Sequence, residues 1–165
     1  MEEKTLWTQT PSQIVNVNAY LIISFTLLAI YPVYTISGLQ NNHGQYTDLA
    51  IIGFMATLLG IMMWKWLTVK LLRYTLTTER LIVRTGVFNF EHSEIELYRF
   101  RDYTLDEPLV YRFFKLGTIV LVSSDRTHPR ALIEAIPEAN KILKIIRDQV
   151  ENCRIKKNVK EVDFT

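Results

Sequence analysis

Two long apolar stretches constrain this chain more than any other feature of its sequence. The first covers residues 17–36 without a charged side chain, and the second covers residues 49–69 with Lys65 as its one charge. An α-helix rises about 1.5 Å per residue, so each stretch is long enough to cross a hydrocarbon layer of about 30 Å. We therefore expect a transmembrane hairpin over residues 17–69. The alternatives are a cleaved signal peptide, whose positively charged start is missing here, and buried helices of a soluble bundle.

The residues around the second stretch predict how the hairpin is oriented. Aromatic and basic side chains gather at its end: Trp64, Lys65, Trp66, Lys70 and Arg73. Indole rings prefer the headgroup zone and basic side chains reach lipid phosphates, so we assign this group to the membrane interface. Residues 37–48 contain neither Lys nor Arg, which predicts a short external loop. A cytoplasmic leader over residues 1–16, both termini inside, and a multi-pass location in the cytoplasmic (inner) membrane follow.

Small residues on the second stretch provide a candidate surface for close helix packing. Ala56 and Gly60 are four positions apart, and Gly53 and Thr57 form a parallel pair. Small side chains allow two helix backbones to approach closely in a membrane. Packing against the first stretch and self-association of two chains are both open, and the first is the simpler interpretation.

Beyond residue 70 the sequence changes to short stretches of β-branched and aromatic residues separated by turn signals. The first two strands are expected to meet at Thr77-Thr78-Glu79, and a third is expected to begin after Gly86. The apolar alternation shifts its phase at Tyr98 and Arg99, which a β-bulge would explain. Residues 70–153 are therefore predicted to form a mainly-β cytoplasmic domain.

The end of this domain is predicted to be helical. Residues 108–117 open with proline and close with glycine, which favours a short helical turn before two further strands. From Pro137 onward one apolar stripe has the helical period: Ala139, Ile142, Leu143, Ile146, Val150 and Cys153. Such a helix should cover one end of the sheet. Residues 154–165 follow it as a basic tail.

The order of these segments resembles that of a known family. The segments are YTLTTERLIVRTG, EIELYRFRDY, RFFKLGTIVLVSS and EAIPEANKI, and together they resemble the bacterial pleckstrin-homology-like (PH-like) domain of small membrane proteins. Residues 80–86 match the R-L-I-V-R-x-G strand of that family. Lys115 replaces the first glycine of its G-x-G-T-I turn.

The resemblance implies a fold more than an activity. It implies a two-helix transmembrane hairpin followed by a PH-like, seven-stranded bent sheet or barrel that a C-terminal helix caps. Eukaryotic PH domains often bind phosphoinositides through a basic first turn. We take Thr77-Thr78-Glu79 as the corresponding turn, and its acidic residue argues against that use. A fold of this kind specifies no reaction.

The sequence offers no pattern typical of an enzyme, a metal site or a cofactor site. His43, His92 and His128 have no metal-ligand spacing, and Cys153 is the one cysteine. Ser123 lacks the glycine-flanked elbow of a hydrolase, and no phosphate-binding glycine loop is present. We therefore expect a non-enzymatic protein without a metal or other cofactor.

Basic residues remain the sharpest functional signal. Arg99 and Arg101 lie on the suspected bulged strand, and Arg126 and Arg130 flank a polar turn; guanidinium groups suit phosphate or carboxylate ligands. Ion pairing of Arg101 with Asp102 or Asp125 is the structural alternative. From residue 65 onward, 18 Lys and Arg face 14 Asp and Glu, an excess too small for a binder of duplex nucleic acid.

Three functions are compatible with these features. The first is a membrane-anchored binding or assembly module with a protein partner or with copies of itself. The second is a homo-oligomeric, ligand-gated membrane effector that senses an anionic signal, for which cyclic oligonucleotides of prokaryotic defence are a plausible class. The third is a sensor of anionic lipid. We favour the first by a small margin, with the lipid bilayer as a partner in each.

Overall fold

The computed structural model describes residues 3–36, 45–126 and 128–157. Most of the predicted external loop, with His43, and residues 158–165 of the tail lie outside these ranges. The described elements follow in chain order: β1 (Thr5–Gln9), a 3₁₀ turn (Gln13–Asn16), α1 (Val17–Ile36), α2 (Gln45–Leu71), β2 (Arg73–Thr77), β3 (Arg80–Thr85), β4 (Glu91–Glu96), a 3₁₀ turn (Leu97–Arg99), β5 (Phe100–Asp106), α3 (Leu109–Phe113), β6 (Leu116–Ser123), β7 (Arg130–Pro137) and α4 (Ala139–Lys157).

Two antiparallel sheets form the mainly-β domain. The first sheet has the order β1-β2-β3-β4, and the second has the order β5-β6-β7. Their inward side chains and the apolar stripe of α4 form one core, whose largest fully buried members include Tyr74, Phe100, Leu121, Ile133 and Ile146. The predicted stripe on α4 is confirmed: Leu143 is half-buried against the core, and its other members, Ala139, Ile142, Ile146, Val150 and Cys153, are buried.

The first strand lies within residues 1–16, which were predicted to be a leader outside the domain. Residues 5–9 pair with β2, with Gln9 opposite Tyr74 and Thr5 opposite Thr77, and the side chain of Trp7 packs against the core. The two apolar helices are therefore inserted between the first and second strands of one sheet. Residues 77–79 consequently form the second turn of the domain, and identifying them with the first turn was wrong.

The insertion distinguishes the two opposite ends of the domain. We call the end at which β1 and β2 meet the apolar helices the junction end, and it contains Gln9, Arg73 and the turn 86–90. The far end is defined by the turn 77–79 and by the loop 124–129 between β6 and β7.

The turn after β3 differs from the prediction. The structure places no strand immediately after Gly86, and β4 begins only at Glu91. Gly86 has a φ of 122°, and a Cβ at this position would collide with the carbonyl oxygen of Asn89. Only glycine fits such a turn, so the apolar residues that follow it belong to the turn and not to a strand.

The phase shift at Tyr98 and Arg99 also has another cause than the predicted bulge. Residues 97–99 form a 3₁₀ turn that ends the first sheet, and Phe100 then begins the second sheet with its side chain fully buried. A register shift does occur nearby, between Phe100 and Asp102. The single strand predicted from the sequence is therefore two strands of different sheets.

The position at which the family motif has its first glycine has an unusual backbone. Lys115 has a φ of 55°, in the left-handed region that favours glycine. Two residues later, a Cβ on Gly117 would lie 2.7 Å from the Cβ of Ala139. The second glycine of the motif thus allows α4 to pack closely on β6.

Candidate functional site

The structure brings the four predicted ligand-binding arginines to the far end of the second sheet. Phe100 at the start of β5 pairs with Ser123 at the end of β6, and Val122 pairs with Arg130 at the start of β7. Arg99 and Arg101 therefore flank the first pair. Arg126 lies in the loop that connects β6 to β7. The sequence alone placed these residues on separate segments, and the sheet register unites them.

Arg99 differs from the other three because carboxylates already surround it. Its Nε lies 3.2 Å from Oε2 of Glu96, and one terminal nitrogen lies 3.0 Å from Oδ2 of Asp125. A hydrogen bond to the hydroxyl group of Tyr98 raises the pKa of Arg99, and the two carboxylates act in the same direction. From the sequence, we considered an ion pair between Arg101 and Asp125. In the structure, Asp125 pairs with Arg99 instead.

The other three arginines differ from Arg99 in having no carboxylate partner among the described residues. Arg101, Arg126 and Arg130 are exposed, and none of them forms an ion pair within residues 3–36, 45–126 and 128–157. The loop beside them is held by its backbone, because Ser124 N donates to the carbonyl oxygen of Arg99 at 2.9 Å and Ser123 N donates to that of Pro129 at 2.9 Å. The far end thus presents three exposed guanidinium groups on a hydrogen-bonded frame.

A groove at the same end was not predicted from the sequence. It has a volume of about 540 Å³ and lies between the turn 77–79 and α4. The groups that line it mostly bond to one another: Lys156 Nζ lies 3.0 Å from Oε1 of Glu79, and Gln149 and Cys153 both donate to the carbonyl oxygen of Thr78. Burial raises the pKa of the Cys153 thiol, which keeps it protonated and poorly reactive.

The predicted interface residues lie at the junction end. The Nζ atom of Lys70 lies 4.3 Å from the centre of the Trp66 ring. The 3₁₀ turn before α1 binds the same region, since Asn16 donates to the carbonyl oxygen of Lys65 at 2.9 Å and Gln13 donates to that of Trp66 at 3.1 Å. The start of α1 is thereby fixed beside the end of α2.

The small residues of α2 are not covered by α1. A Cβ placed at Gly53 or Gly60 would have no heavy atom within 4 Å apart from the adjoining backbone of its own helix, and the side chains of Ala56 and Thr57 are exposed. The expected packing of this face against α1 is therefore not seen. Self-association through it stays a prediction.

The structure was expected to lack a metal site, and the described histidines lie apart from one another. No group of three or more His, Cys, Asp or Glu side chains could hold a metal ion among these residues. His92 lies on β4, where its Nε2 is 3.3 Å from Oε1 of Glu94. His128 lies in the loop between β6 and β7.

Residues 17–150 match the family model for the bacterial PH domain. No curated protein matches the chain. Among solved structures, the chain is similar to a DUF1696 family protein with a pleckstrin-homology domain from Shewanella loihica PV-4, with 15% identity and a TM-score of 0.40 over 48% of this chain and 70% of that one. The family match covers most of the sequence, and the chain belongs to the bacterial PH domain family.

Proposed function

We propose that this protein is a membrane-anchored binding module, in which α1 and α2 cross the cytoplasmic membrane and hold a PH-like domain on its inner face. The observation that carries the proposal is the insertion of two exposed apolar helices between β1 and β2. The helices Gln13–Tyr34 and Asp48–Leu71 are long and apolar enough to span a membrane.

The low burial of the two helices argues against the alternative that they are core helices of a soluble protein. Only 6% of the apolar window in the first helix and 0% of that in the second are buried by other parts of the protein. Transfer of apolar surface out of water is favourable by roughly 25 cal/mol per Å². A core helix would realise that gain within the protein, so these two helices need an apolar environment outside it.

The position of β1 argues against the alternative that the first helix is a cleaved signal peptide. Residues 5–9 precede α1 and pair with β2, which follows α2. Cleavage after the first helix would remove one strand from the sheet. The same pairing requires that both ends of the helical pair lie on one side of a membrane, which a hairpin achieves.

The orientation rests on charge and is tested by the accessibility of introduced thiols. Lys65, Lys70 and Arg73 at the junction end favour a cytoplasmic domain. A membrane-impermeant maleimide should label Asn41→Cys in intact cells and should label Ile155→Cys only after permeabilisation. Cys153 is buried, so the unsubstituted protein measures the background. Labelling of Ile155→Cys in intact cells, or recovery of the unsubstituted chain in the aqueous fraction without detergent, would contradict the proposal.

Recognition of an anionic signal by a homo-oligomer is a second candidate function. Two observations favour it: exposed Arg101, Arg126 and Arg130 meet at the far end, away from the helices, and the small-residue face of α2 is uncovered. An oligomer could bring such arginines together around one ligand. Calorimetry with cyclic oligonucleotides on the detergent-solubilised protein tests it. Binding that survives Arg101→Gln together with Arg130→Gln would refute the assigned site.

A sensor of anionic lipid is favoured less by the same geometry. The four arginines lie at the opposite end of the domain from α1 and α2. Any lipid contact in the anchoring membrane should therefore involve residues of the junction end.

A further inference from the structure

The large apolar side chains that the domain leaves most exposed lie on two of its turns. Outside α1 and α2, the described large apolar residues with more than three-quarters of their surface exposed are Phe88 (86%), Phe90 (76%), Leu109 (82%) and Phe113 (84%). The first two belong to the turn between β3 and β4. The last two belong to α3, between β5 and β6. Four such side chains grouped on two turns are typical of a surface that meets another apolar phase.

Both turns lie at the junction end of the domain. The ring of Phe88 contacts the ring of Trp64 on α2, with 5.6 Å between their centres. α3 follows the end of β5 and precedes the start of β6, and Gly117 near that start pairs with Ile136 near the end of β7.

The end of β7 is joined in turn to the segment that leads into α1. Ser12 N donates to the carbonyl oxygen of Ala135 at 3.0 Å, and Glu134 N donates to the hydroxyl group of Tyr74 near the start of β2 at 3.3 Å. The α3 turn is therefore at the end of the second sheet that faces the apolar helices.

Charge at this end has an unusual arrangement. Arg73 on β2 is directly opposite Arg84 on β3, and Arg84 is directly opposite His92 on β4. Both arginines are exposed, and neither forms an ion pair with a carboxylate of the described chain. Like charges opposite each other in a sheet are destabilising in water. An anionic surface beside them would remove this repulsion.

We infer that the junction end of the domain docks into the anionic headgroup layer of the membrane, with the turns at Phe88–Phe90 and at Leu109–Phe113 inserted among the lipids and with Arg73 and Arg84 bound to their phosphates. The inference rests on the proposed membrane anchoring. It adds that the domain lies on the bilayer and does not hang from it on a free linker.

The bilayer fits this surface better than a protein partner because the surface continues the proposed membrane interface at the end of α2. Trp64 and Trp66 are aromatic residues at the end of an apolar helix, where indole rings mark the headgroup zone. The Trp64–Phe88 contact places the β3–β4 turn at the same depth. Exposed aromatic rings and arginines side by side match the two chemistries of that zone, apolar chains and phosphate groups.

The test places an environment-sensitive fluorophore at single positions of the full-length protein in vesicles of phosphatidylcholine and phosphatidylglycerol. Phe90→Cys and Phe113→Cys report on the two turns. Ile155→Cys is the matched control, since Ile155 is also apolar and highly exposed (71%) but lies near the end of α4 at the far end. Leu59→Cys, in the middle of α2, reports on the membrane span itself.

The inference predicts blue-shifted emission at positions 90 and 113 with quenching by lipids that carry a nitroxide near the headgroup, deep quenching at position 59, and emission typical of water at position 155. Water-like emission at positions 90 and 113 with deep quenching at position 59 would overturn the docking and keep the anchor. Absence of quenching at position 59 would refute the anchor as well. Blue-shifted emission at positions 90 and 113 without lipid quenching would show that a protein, such as a second copy, covers the turns.

Discussion

The two ends of the PH-like domain arrange their basic residues differently. At the far end, Arg99 contacts Glu96 and Asp125 and Lys156 contacts Glu79, and the arginines there that form no ion pair with the described residues lie on separate segments. At the junction end, Arg73 and Arg84 have no carboxylate partner among the described residues and lie directly opposite each other in one sheet. Like charges placed in this way repel each other. An anionic surface outside the chain would remove this repulsion at the junction end.

The exposure of phenylalanine side chains also differs between the two ends. Phe100 is fully buried where the first sheet passes into the second, whereas Phe113 is one of the most exposed side chains of the domain. A buried aromatic side chain stabilises the fold in any solvent, whereas an exposed one contributes only where its surroundings accept it. The effects of substitutions on the free energy of unfolding should therefore differ between the two ends, both in size and in their dependence on lipid.

The largest effect is expected from Phe100→Ala. Removal of a fully buried aromatic ring typically costs about 3–5 kcal/mol of the free energy of unfolding. Phe113→Ala should leave that free energy in detergent almost unchanged, because little of its surface is buried by the protein. Urea denaturation of the detergent-solubilised chain, followed by near-ultraviolet circular dichroism, measures both variants. A comparable loss of stability in the two variants would show that α3 packs on the domain and would remove the contrast between the ends.

A smaller effect is expected from the buried hydroxyl group of Tyr74. Burial raises the pKa of Tyr74 to about 12, from an ordinary value of 10.0. Below pH 10 the side chain is neutral in both folded and unfolded chains, and between pH 10 and pH 12 only the unfolded chain loses its proton. The unfolded chain then binds fewer protons, so the free energy of unfolding should fall by about 2 kcal/mol as the pH rises through this range.

Tyr74→Phe isolates this contribution. The variant should lose the Tyr74 part of the alkaline slope, and at neutral pH it should be less stable by about 1–3 kcal/mol, because the amide of Glu134 loses its acceptor. Tyr111, whose pKa is also raised by burial, keeps its own part of the slope and serves as the internal reference. An unchanged alkaline slope in Tyr74→Phe would contradict the assignment.

Part of this architecture is readable in the sequence because it depends on periodic patterns. The limits of α1 and the apolar stripe of α4 follow from uninterrupted apolarity and from the helical period. The strand at residues 5–9 was missed because five mostly polar residues give no clear alternation, and its pairing with β2 is a long-range contact across 63 intervening residues of chain between Gln9 and Arg73. Only the sheet register shows that the hairpin is an insertion.

The candidate sites were also only partly predictable from the sequence. Residue types predicted that Arg99 binds an anionic ligand, but sequence spacing could not show that Asp125 approaches it from a loop 26 positions later. The sequence predicted a strand at Phe88–Phe90, because apolar residues after a glycine occur both in strands and in exposed turns. Gly86 is the residue that indicates the turn, since its backbone conformation favours glycine.

A third prediction examines the ion pairs of Arg99 at the far end. Asp125→Asn should lower the free energy of unfolding by about 1 kcal/mol or less, because partly exposed ion pairs contribute little and Glu96 still contacts Arg99. The loss should shrink when salt is added. Denaturation at low and high ionic strength measures it. Arg101→Gln is the matched control, since Arg101 forms no ion pair with the described residues, and an equal, salt-dependent loss in this control would contradict the assignment of the pairs.

The smallest effect should change its sign with the lipid. Arg84→Gln removes the repulsion between Arg84 and Arg73, and cross-strand pairs of this kind are worth roughly 0.2–1 kcal/mol. In vesicles of zwitterionic lipid the variant should therefore be slightly more stable than the unsubstituted protein. In vesicles that contain anionic lipid it should be slightly less stable, because Arg84 then contributes about 1 kcal/mol of attraction to the surface. Thermal unfolding in the two lipid mixtures measures the difference.

A reversal of sign is informative because a purely internal role of Arg84 cannot produce it. If the side chain mattered only through Arg73 or His92, its replacement would shift stability in the same direction in both lipids. Arg130→Gln at the far end is the control, since it alters charge equally but lies away from the bilayer in the docked arrangement. Equal lipid dependence in both variants would mean that the membrane acts on the net charge of the domain, and the distinction between its two ends would then have no electrostatic basis.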